Sequence, residues 1–257
     1  MVVTFNIPAP KTDMVISDPG TKRFVTPAIP LERPARKEAT KYESLSFKLR
    51  SNPTDEGSTN YEITVPYFAA GTPEEVLNFI RDVKKVIAGQ NVTTGPQMYA
   101  LLRRLLQGDA LAAFDRAAAT RGSDTATNFN MCVKDLITHD FPCRALATQK
   151  RYMRRHLRKP RSMKMREFMA RLVELNGYLS EFPPFAANQA LAEDELLEIA
   201  EFSTPSTLQR TMVIQGFDPM IHSTSEFVEF CERLELTEIP VGTDAKHQAE
   251  SKTGKTA

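Results

Sequence analysis

The sequence predicts an all-α protein in which two small helical domains follow a short β-hairpin and a proline-rich arm. Three observations support this fold class. Apolar residues recur at helical spacing from about residue 72 to residue 236, helix-start signals punctuate that region, and strict apolar–polar alternation is confined to two short segments before it. The composition, with 41% hydrophobic and 25% charged residues, is that of an ordinary globular protein.

The ends of the chain are predicted to be disordered. Residues 1–42 hold six prolines and almost no periodic apolar pattern, so they cannot bury enough surface to offset the entropy lost on ordering. The polar residues 241–257 predict a disordered tail in the same way. Between them, SLSFKLR (44–50) and NYEITV (60–65) alternate with period two on either side of a turn-rich loop, which predicts a β-hairpin.

Four helices are predicted after the hairpin. Thr72 and Glu75 form a capping box around Pro73 at the first helical position, and the sequence Thr94-Gly95-Pro96 indicates a second helix start. A third helix follows Gly108 as DALAAFDRAAAT, and a fourth begins near residues 123–124. Pro142 disfavours helix at the residue before it and marks the best internal boundary.

This boundary predicts an N-terminal domain over residues 43–141 and a C-terminal domain over residues 142–240. Further helix starts are indicated by Ser162, by Pro205 and by a capping box between Ser223 and Glu226. The second domain is therefore predicted to hold helices at about 144–158, 162–180, 192–202, 205–214 and 223–236.

The charge is distributed unevenly although the whole chain carries a formal net charge of only +1. The segment from Arg144 to Arg166 contains ten Lys or Arg residues and no acid, whereas residues 167–240 contain fourteen acids and three arginines. Such an asymmetry favours either self-association or a polyanionic partner.

Within the basic segment, a helix over 144–158 would place Lys150, Arg151, Arg154, Arg155 and Arg158 on one outer face. The candidate binding residues for nucleic acid or for an acidic protein face are Lys150, Arg151, Arg154, Arg155, Arg158, Lys159 and Arg161. A solvated charged face is the alternative, although the lack of intrahelical acidic partners argues against it.

The next helix has an apolar stripe with 3-4 spacing, which suits either the core of a small bundle or an intermolecular seam. The stripe comprises Met165, Phe168, Leu172, Leu175 and Leu179. Arg171 lies on this helix as an isolated cation amid acidic helices. We therefore expect it to be a buried or half-buried hydrogen-bonding residue.

The sequence contains no arrangement typical of an active site. Cys132, His139 and Cys143 do not have the spacing of zinc ligands and lack a fourth partner. Phosphate-binding glycine loops and a nucleophile elbow are absent, so we predict no enzyme activity, no catalytic residue, no metal and no cofactor. Three cysteines and an N-terminus without a signal peptide predict a cytoplasmic, non-membrane protein.

Several segments in order resemble the capsid region of the Gag polyprotein of gypsy-type long-terminal-repeat retrotransposons. The resemblance covers about residues 67–235 and is carried by YFAAGTPEEVLNFI, LLRRLLQGDALAAF, TQKRYMRRHLRKPRSMKMREFMARLVELN, LLEIAEFSTPSTLQRTMVIQGFDP and SEFVEFCERLE. Retroviral relatives carry a homology segment that ends in an aromatic residue followed by arginine, and Phe168 and Arg171 fall on those positions. Leu172 follows them as the third structural residue of the segment.

The resemblance implies a two-domain helical capsid protein that self-assembles around RNA of the element into virus-like particles. The implied partners are other copies of the chain and RNA, with no small-molecule substrate. Gag chains commonly continue into a zinc knuckle of the form C-x2-C-x4-H-x4-C, which this sequence lacks. A nucleic-acid-binding protein that does not assemble, or a Gag-derived protein-interaction module, is the alternative function.

Overall fold

The computed structural model describes residues 26–33, 43–52, 57, 59–219 and 221–237, and it is mostly helical in these ranges. The hairpin comes first, with strand β1 over Ser44–Arg50 and strand β2 over Asn60–Pro66. Nine helices follow in the described part of the chain. They are α1 (Pro73–Gly89), α2 (Gly95–Leu105), α3 (Gly108–Arg121), α4 (Ala126–Asp140), α5 (Ala145–Arg155), α6 (Met165–Leu179), α7 (Glu193–Ser203), α8 (Ser206–Ile214) and α9 (Thr224–Thr237).

The predicted hairpin is confirmed. The strands are antiparallel, with Leu45 opposite Val65 and Phe47 opposite Ile63, so their apolar residues share one face. That face packs on α1, where Gly89 allows a close approach. A Cβ atom at Gly89 would lie 3.0 Å from the Cβ of Leu49. The alternation in the sequence therefore corresponds to a sheet with one buried face, because successive side chains of a strand point to opposite faces.

The start of α1 is confirmed by its capping box. The Glu75 amide donates to the Thr72 hydroxyl at 3.3 Å, and the Thr72 amide donates to the Glu75 carboxylate at 2.7 Å. Val76, Ile80 and Val83 then form its buried face. The second box is also present, because the Ser223 amide donates to Glu226 at 2.8 Å and the Glu226 amide donates back to the Ser223 hydroxyl.

Helices α2 to α4 enclose an aromatic core. The ring of Tyr99 lies 5.5 Å from the rings of both Phe114 and Phe129, and its hydroxyl contacts the Sγ of Cys132 at 3.4 Å. In the second half of the chain, α6 packs against α7 and α9. Phe168 and Leu172 of α6 are completely buried there.

The two halves also contact each other along α1 and α6. Arg81 of α1 forms an ion pair of 2.6 Å with Glu181, and the Tyr178 hydroxyl donates to the side chain of Asn78 at 2.8 Å. Buried apolar residues from both halves belong to one continuous cluster. Helix α4 ends at Asp140, next to the predicted boundary, while the division into domains 43–141 and 142–240 stays a prediction.

The prediction of a disordered arm is wrong for residues 26–33. Residues 26–33 pack against the helices, and Ile29 and Leu31 are buried. The physical reason is that two apolar side chains and several backbone groups find partners on α5 and α6, which offsets the ordering entropy of this short segment. The rest of the predicted arm, residues 1–25 and 34–42, and the predicted tail, 241–257, lie outside the described residues.

Candidate functional site

The predicted basic face is built on α5, but the helix is shorter than expected. Ala145, Gln149 and Met153 recur every four residues and are buried, so the side of α5 that carries Arg151 and Arg155 faces solvent. The predicted end at residue 158 is wrong, because α5 ends at Arg155. Pro160 disfavours helix before it, and the amide of the preceding residue, Lys159, donates to the Ser203 carbonyl instead of a helical acceptor.

The seven predicted basic residues therefore have three different environments. Five are exposed, Lys150 is half-buried, and Lys159 is buried. The exposed residues are Arg151, Arg154, Arg155, Arg158 and Arg161. Three of these, Arg151, Arg154 and Arg155, line a shallow depression together with Ala147. We call the solvent-facing group Arg151, Arg154, Arg155 and Arg161 the basic surface.

The prediction that Lys159 contributes to this surface is wrong. Its side chain is only 3% exposed, and its Nζ lies 2.6 Å from Oε1 of Glu235 on α9. The contact is an ion pair by distance, although it lacks the angular geometry of a hydrogen bond. Lys159 therefore binds an acidic helix of its own chain and is inaccessible to a partner.

Two more cations of the basic segment also pair with acids of the same chain. Arg154 donates to Glu195 of α7, and Arg166 forms two hydrogen bonds of 2.9 and 2.8 Å with Glu232 of α9. The hydrogen bond from Arg166 lowers the pKa of the Glu232 carboxyl below its ordinary value. Part of the predicted charge asymmetry is thus neutralised within the chain.

The remaining arginines keep their charge available. Among the described residues, Arg151, Arg155 and Arg161 form no ion pair. Arg158 places its guanidinium 5.5 Å from the centre of the Phe202 ring, a cation–π contact at the edge of the basic surface. Exposed guanidinium groups without intramolecular acids are suited to phosphate or carboxylate partners.

A second charged site, which we call the arginine cluster, consists of Arg171, Glu74 and Glu174. Arg171 Nη1 and Nη2 donate to the two carboxylate oxygens of Glu74 at 2.6 and 2.9 Å, which makes a bidentate pair between α6 and α1. Nη1 also donates to Glu174 at 2.9 Å. The Arg171 and Glu74 side chains are 1% and 4% exposed, so the burial and hydrogen bonding expected of Arg171 are present.

Two backbone carbonyls complete the coordination of Arg171. Its Nε donates to the Leu31 carbonyl at 3.0 Å and its Nη2 donates to the Pro30 carbonyl at 2.9 Å. Burial disfavours the charged form of Arg171, but the bonds to Glu74 and Glu174 outweigh burial and raise its pKa above the ordinary value. The membership of Phe168, Arg171 and Leu172 in a retroviral-type homology segment stays a prediction.

The acid at position 174 is held ionised by the same cluster. Partial burial alone would raise the pKa of Glu174, yet hydrogen bonds from Arg171 and Arg33 lower it below its ordinary value. Arg33 donates to Glu174 through Nε and Nη2 at 3.1 and 2.7 Å. Sequence reasoning missed Glu74 and Glu174, since each is one of several charged residues on a helix whose charges look solvent-facing.

Exposed apolar side chains that sequence reasoning also missed follow the C-terminal end of α7 along the chain. Eight large apolar side chains are exposed in the described part of the chain, and four of them fall within residues 202–221. We call these four the apolar patch: Phe202, Val213, Ile214 and Ile221. The Gln209 side chain of α8 donates to the carbonyls of Glu201 and Thr204, which fixes α8 against the end of α7.

Acidic side chains accompany the apolar patch. Burial raises the pKa of the Glu201 carboxyl above its ordinary value, and the negative charges of Asp218 and Glu198 raise it further. Asp218 and Glu198 are therefore close enough to Glu201 for their charges to repel its carboxylate. An apolar patch beside clustered acids has the composition of a protein interface with a charged rim.

The described residues contain no group of three or more His, Cys, Asp or Glu side chains that could hold a metal ion. Cys132 is buried, whereas His139 and Cys143 are exposed. No helix in the described ranges is both long and apolar enough to cross a membrane.

Comparison of the chain with known protein families, with curated proteins and with solved structures finds no match in any of the three.

Proposed function

We propose that this chain is a non-enzymatic capsid-like protein of the retrotransposon Gag type, which self-assembles in the cytoplasm into a shell around RNA. The observation that carries the proposal is the apolar patch, because it leaves large apolar side chains in water on an otherwise well-packed protein. Phe202 is 63% exposed and Val213 is 79% exposed. A contiguous patch formed by these side chains would mark a site that is buried against another protein.

Charge gives the patch a complementary partner in a second copy. Arg158 lies over Phe202 and Arg154 pairs with Glu195, so the basic surface and the acids of α7 border the patch within one subunit. A second copy can therefore oppose its basic surface to the acids near Glu201 while the apolar side chains bury each other. Apolar burial supplies most of the affinity in such a contact, and charge complementarity sets its orientation.

The basic surface supports RNA as the second component. Arg151, Arg155 and Arg161 form no ion pair among the described residues and are exposed, so each can neutralise a phosphate. Binding to single-stranded nucleic acid through about three such contacts would give a log–log salt dependence with a slope near −2. Repulsion among the basic surfaces of neighbouring subunits would be relieved by the same RNA.

The test is electron microscopy with light scattering on the purified full chain, with and without single-stranded RNA, at low and high salt. We expect regular particles that RNA promotes at low salt. Phe202→Ser and Val213→Thr should each reduce particle formation by at least tenfold, whereas Val173→Thr, at an exposed valine of α6 outside the apolar patch, should leave it unchanged. A monodisperse monomer under every condition would contradict assembly by this chain.

The three unpaired arginines favour one alternative, a nucleic-acid-binding protein or interaction module that does not assemble. Replacement of Arg151 and Arg155 by alanine separates the two functions. An RNA-binding module would lose affinity and show a shallower salt dependence while remaining a monomer throughout. An assembling protein would lose particles as well as RNA.

A further inference from the structure

Residues 26–33 occupy the surface between α5, α6 and α1 in the manner of a bound peptide. The Ile29 amide donates to Gln149 Oε1 at 3.0 Å, and Gln149 Nε2 donates back to the Ile29 carbonyl at 2.8 Å. The Leu31 amide donates to the Tyr152 hydroxyl at 3.2 Å. The carbonyls of Pro30 and Leu31 accept from Arg171, as described above.

These contacts account for every backbone polar group from the Ile29 amide to the Leu31 carbonyl. The stretch has two amide donors and three carbonyl acceptors, and each is bonded to a helix side chain. Pro30 fits because it has no amide hydrogen that would need a partner. Among the described residues, no backbone–backbone hydrogen bond joins residues 26–33 to the helices.

The side chains of the segment are recognised as well. Ile29 and Leu31 are buried, and the Arg33 guanidinium pairs with Glu174 at 2.7 Å. Glu74, on the far side of Arg171, holds the guanidinium through both carboxylate oxygens. The site thus accommodates an apolar residue, a proline, a second apolar residue and, two positions further, a cation.

We propose that α1, α5 and α6 form a peptide-binding groove for the motif Ile-Pro-Leu-x-Arg, which residues 29–33 fill in the same chain and which the same segment of a second copy can fill in trans. The contacts are identical in both arrangements, because every groove residue lies on a helix and the segment is joined to β1 only through residues 34–42. A nine-residue connection spans at most about 30 Å. Exchange of an identical segment between copies is a low-cost route to oligomers.

The groove is independent of the assembly proposed above, because none of its residues belongs to the apolar patch or to the basic surface. Its recognition chemistry also excludes one class of ligand. The carboxylate of Glu174 pairs with Arg33, so an acidic peptide would meet a like charge at that position.

The test uses the full chain with a protease site inserted between residues 36 and 37, so that the segment can be cut free without disturbing the groove. After cleavage, a fluorescent synthetic peptide of residues 26–33 is added and its binding is followed by fluorescence polarisation. We expect the cleaved protein to exchange its own fragment for the peptide. The uncleaved protein should bind the same peptide at least tenfold more weakly, because the resident segment competes.

Peptide variants keep the protein unchanged and serve as matched controls. An Ile29→Asp peptide should bind at least tenfold more weakly than the parent peptide, and an Arg33→Glu peptide should also lose affinity. A Glu32→Gln peptide should bind as the parent does, because no residue in the described part of the chain forms a hydrogen bond or ion pair with Glu32. If the cleaved protein fails to bind the parent peptide, or binds the Ile29→Asp peptide equally well, the groove is not a peptide-binding site.

Exchange between copies is read from a second sample in which residues 1–42 are fused to a carrier protein. Stable binding of that fusion by the cleaved chain, with competition by the 26–33 peptide, would support occupation in trans. Binding that the peptide does not displace, or no binding, would overturn it.

Discussion

Arginines in two neighbouring helices have opposite environments. On α5, Arg151 and Arg155 are exposed and form no ion pair among the described residues, whereas Arg171 on α6 is buried among two carboxylates and two carbonyls. Hydrogen-bond acceptors, and not charge itself, therefore decide whether a cation can enter the core. A guanidinium whose donors are satisfied can be buried, and one without acceptors must stay in water.

Removing the buried cation should have the largest effect on stability. Arg171→Met would leave the Glu74 carboxylate buried without its partner, so we expect the free energy of unfolding to fall by about 3–5 kcal/mol. The matched change Arg154→Met on α5 breaks an exposed ion pair and should cost about 1 kcal/mol or less. Urea unfolding of the full chain, followed by circular dichroism, measures both.

A double variant sharpens this prediction. Arg171→Met together with Glu74→Leu removes the orphaned charge, so it should recover a large part of the stability that the single variant loses. A double variant no more stable than Arg171→Met alone would contradict the view that the unpaired carboxylate causes the loss.

Residues 29–31, which supply the two carbonyls, should contribute nearly as much to the stability of the fold as the carboxylates do. Ile29→Ala removes completely buried apolar volume, and we expect a loss of about 2–4 kcal/mol in the free energy of unfolding. The exposed Thr26 of the same segment offers the control, because Thr26→Ala should change stability by less than about 0.5 kcal/mol. If Ile29→Ala lowered the free energy of unfolding no more than Thr26→Ala does, the packing assigned to Ile29 would be contradicted.

Lys159 is intermediate between the exposed arginines of α5 and the buried Arg171, because it is buried beside a partly exposed acid. Its partner Glu235 keeps 22% of its side-chain surface exposed, so Lys159→Met leaves a carboxylate that water can partly solvate. We expect a loss of about 1–3 kcal/mol in the free energy of unfolding. Arg161→Met, at an exposed position nearby, should have an effect below about 0.5 kcal/mol. Thermal unfolding of the two variants under one condition distinguishes these values.

Features encoded by local patterns could be predicted from the sequence. The capping boxes at Thr72 and Ser223 need only residues three positions apart, and the hairpin needs only an alternation within seven. The exposure of Arg151, Arg154 and Arg155 on α5 likewise follows from helical spacing. In each case the interaction that stabilises the element is contained in the element itself.

Long-range features could not be predicted in this way. Glu74 lies in the first turn of α1, where an acid is favourable beside the helix dipole and gives no sign of burial. Its partner Arg171 comes 97 residues later. Ile29 and Leu31 give an apolar pattern too short to count as a strand, and their role appears only once Gln149 and Arg171 are placed beside them. The local pattern places Lys159 among the basic binding residues because its acidic partner, Glu235, lies on the distant helix α9.

The smallest expected effect concerns pH and the acid at the edge of the arginine cluster. Burial opposes ionisation of Glu174, but its bonds from Arg171 and Arg33 hold its pKa below that of the unfolded chain. The unfolded state therefore binds more protons as the pH falls through and below the ordinary pKa of 4.5, and the stabilising contribution of Glu174 is progressively lost. Glu174→Gln removes this titration, so its free energy of unfolding should fall less than that of the unmodified chain between pH 7 and pH 4. Parallel stability–pH curves for the two proteins would contradict the assignment, whereas curves that converge on acidification would support it.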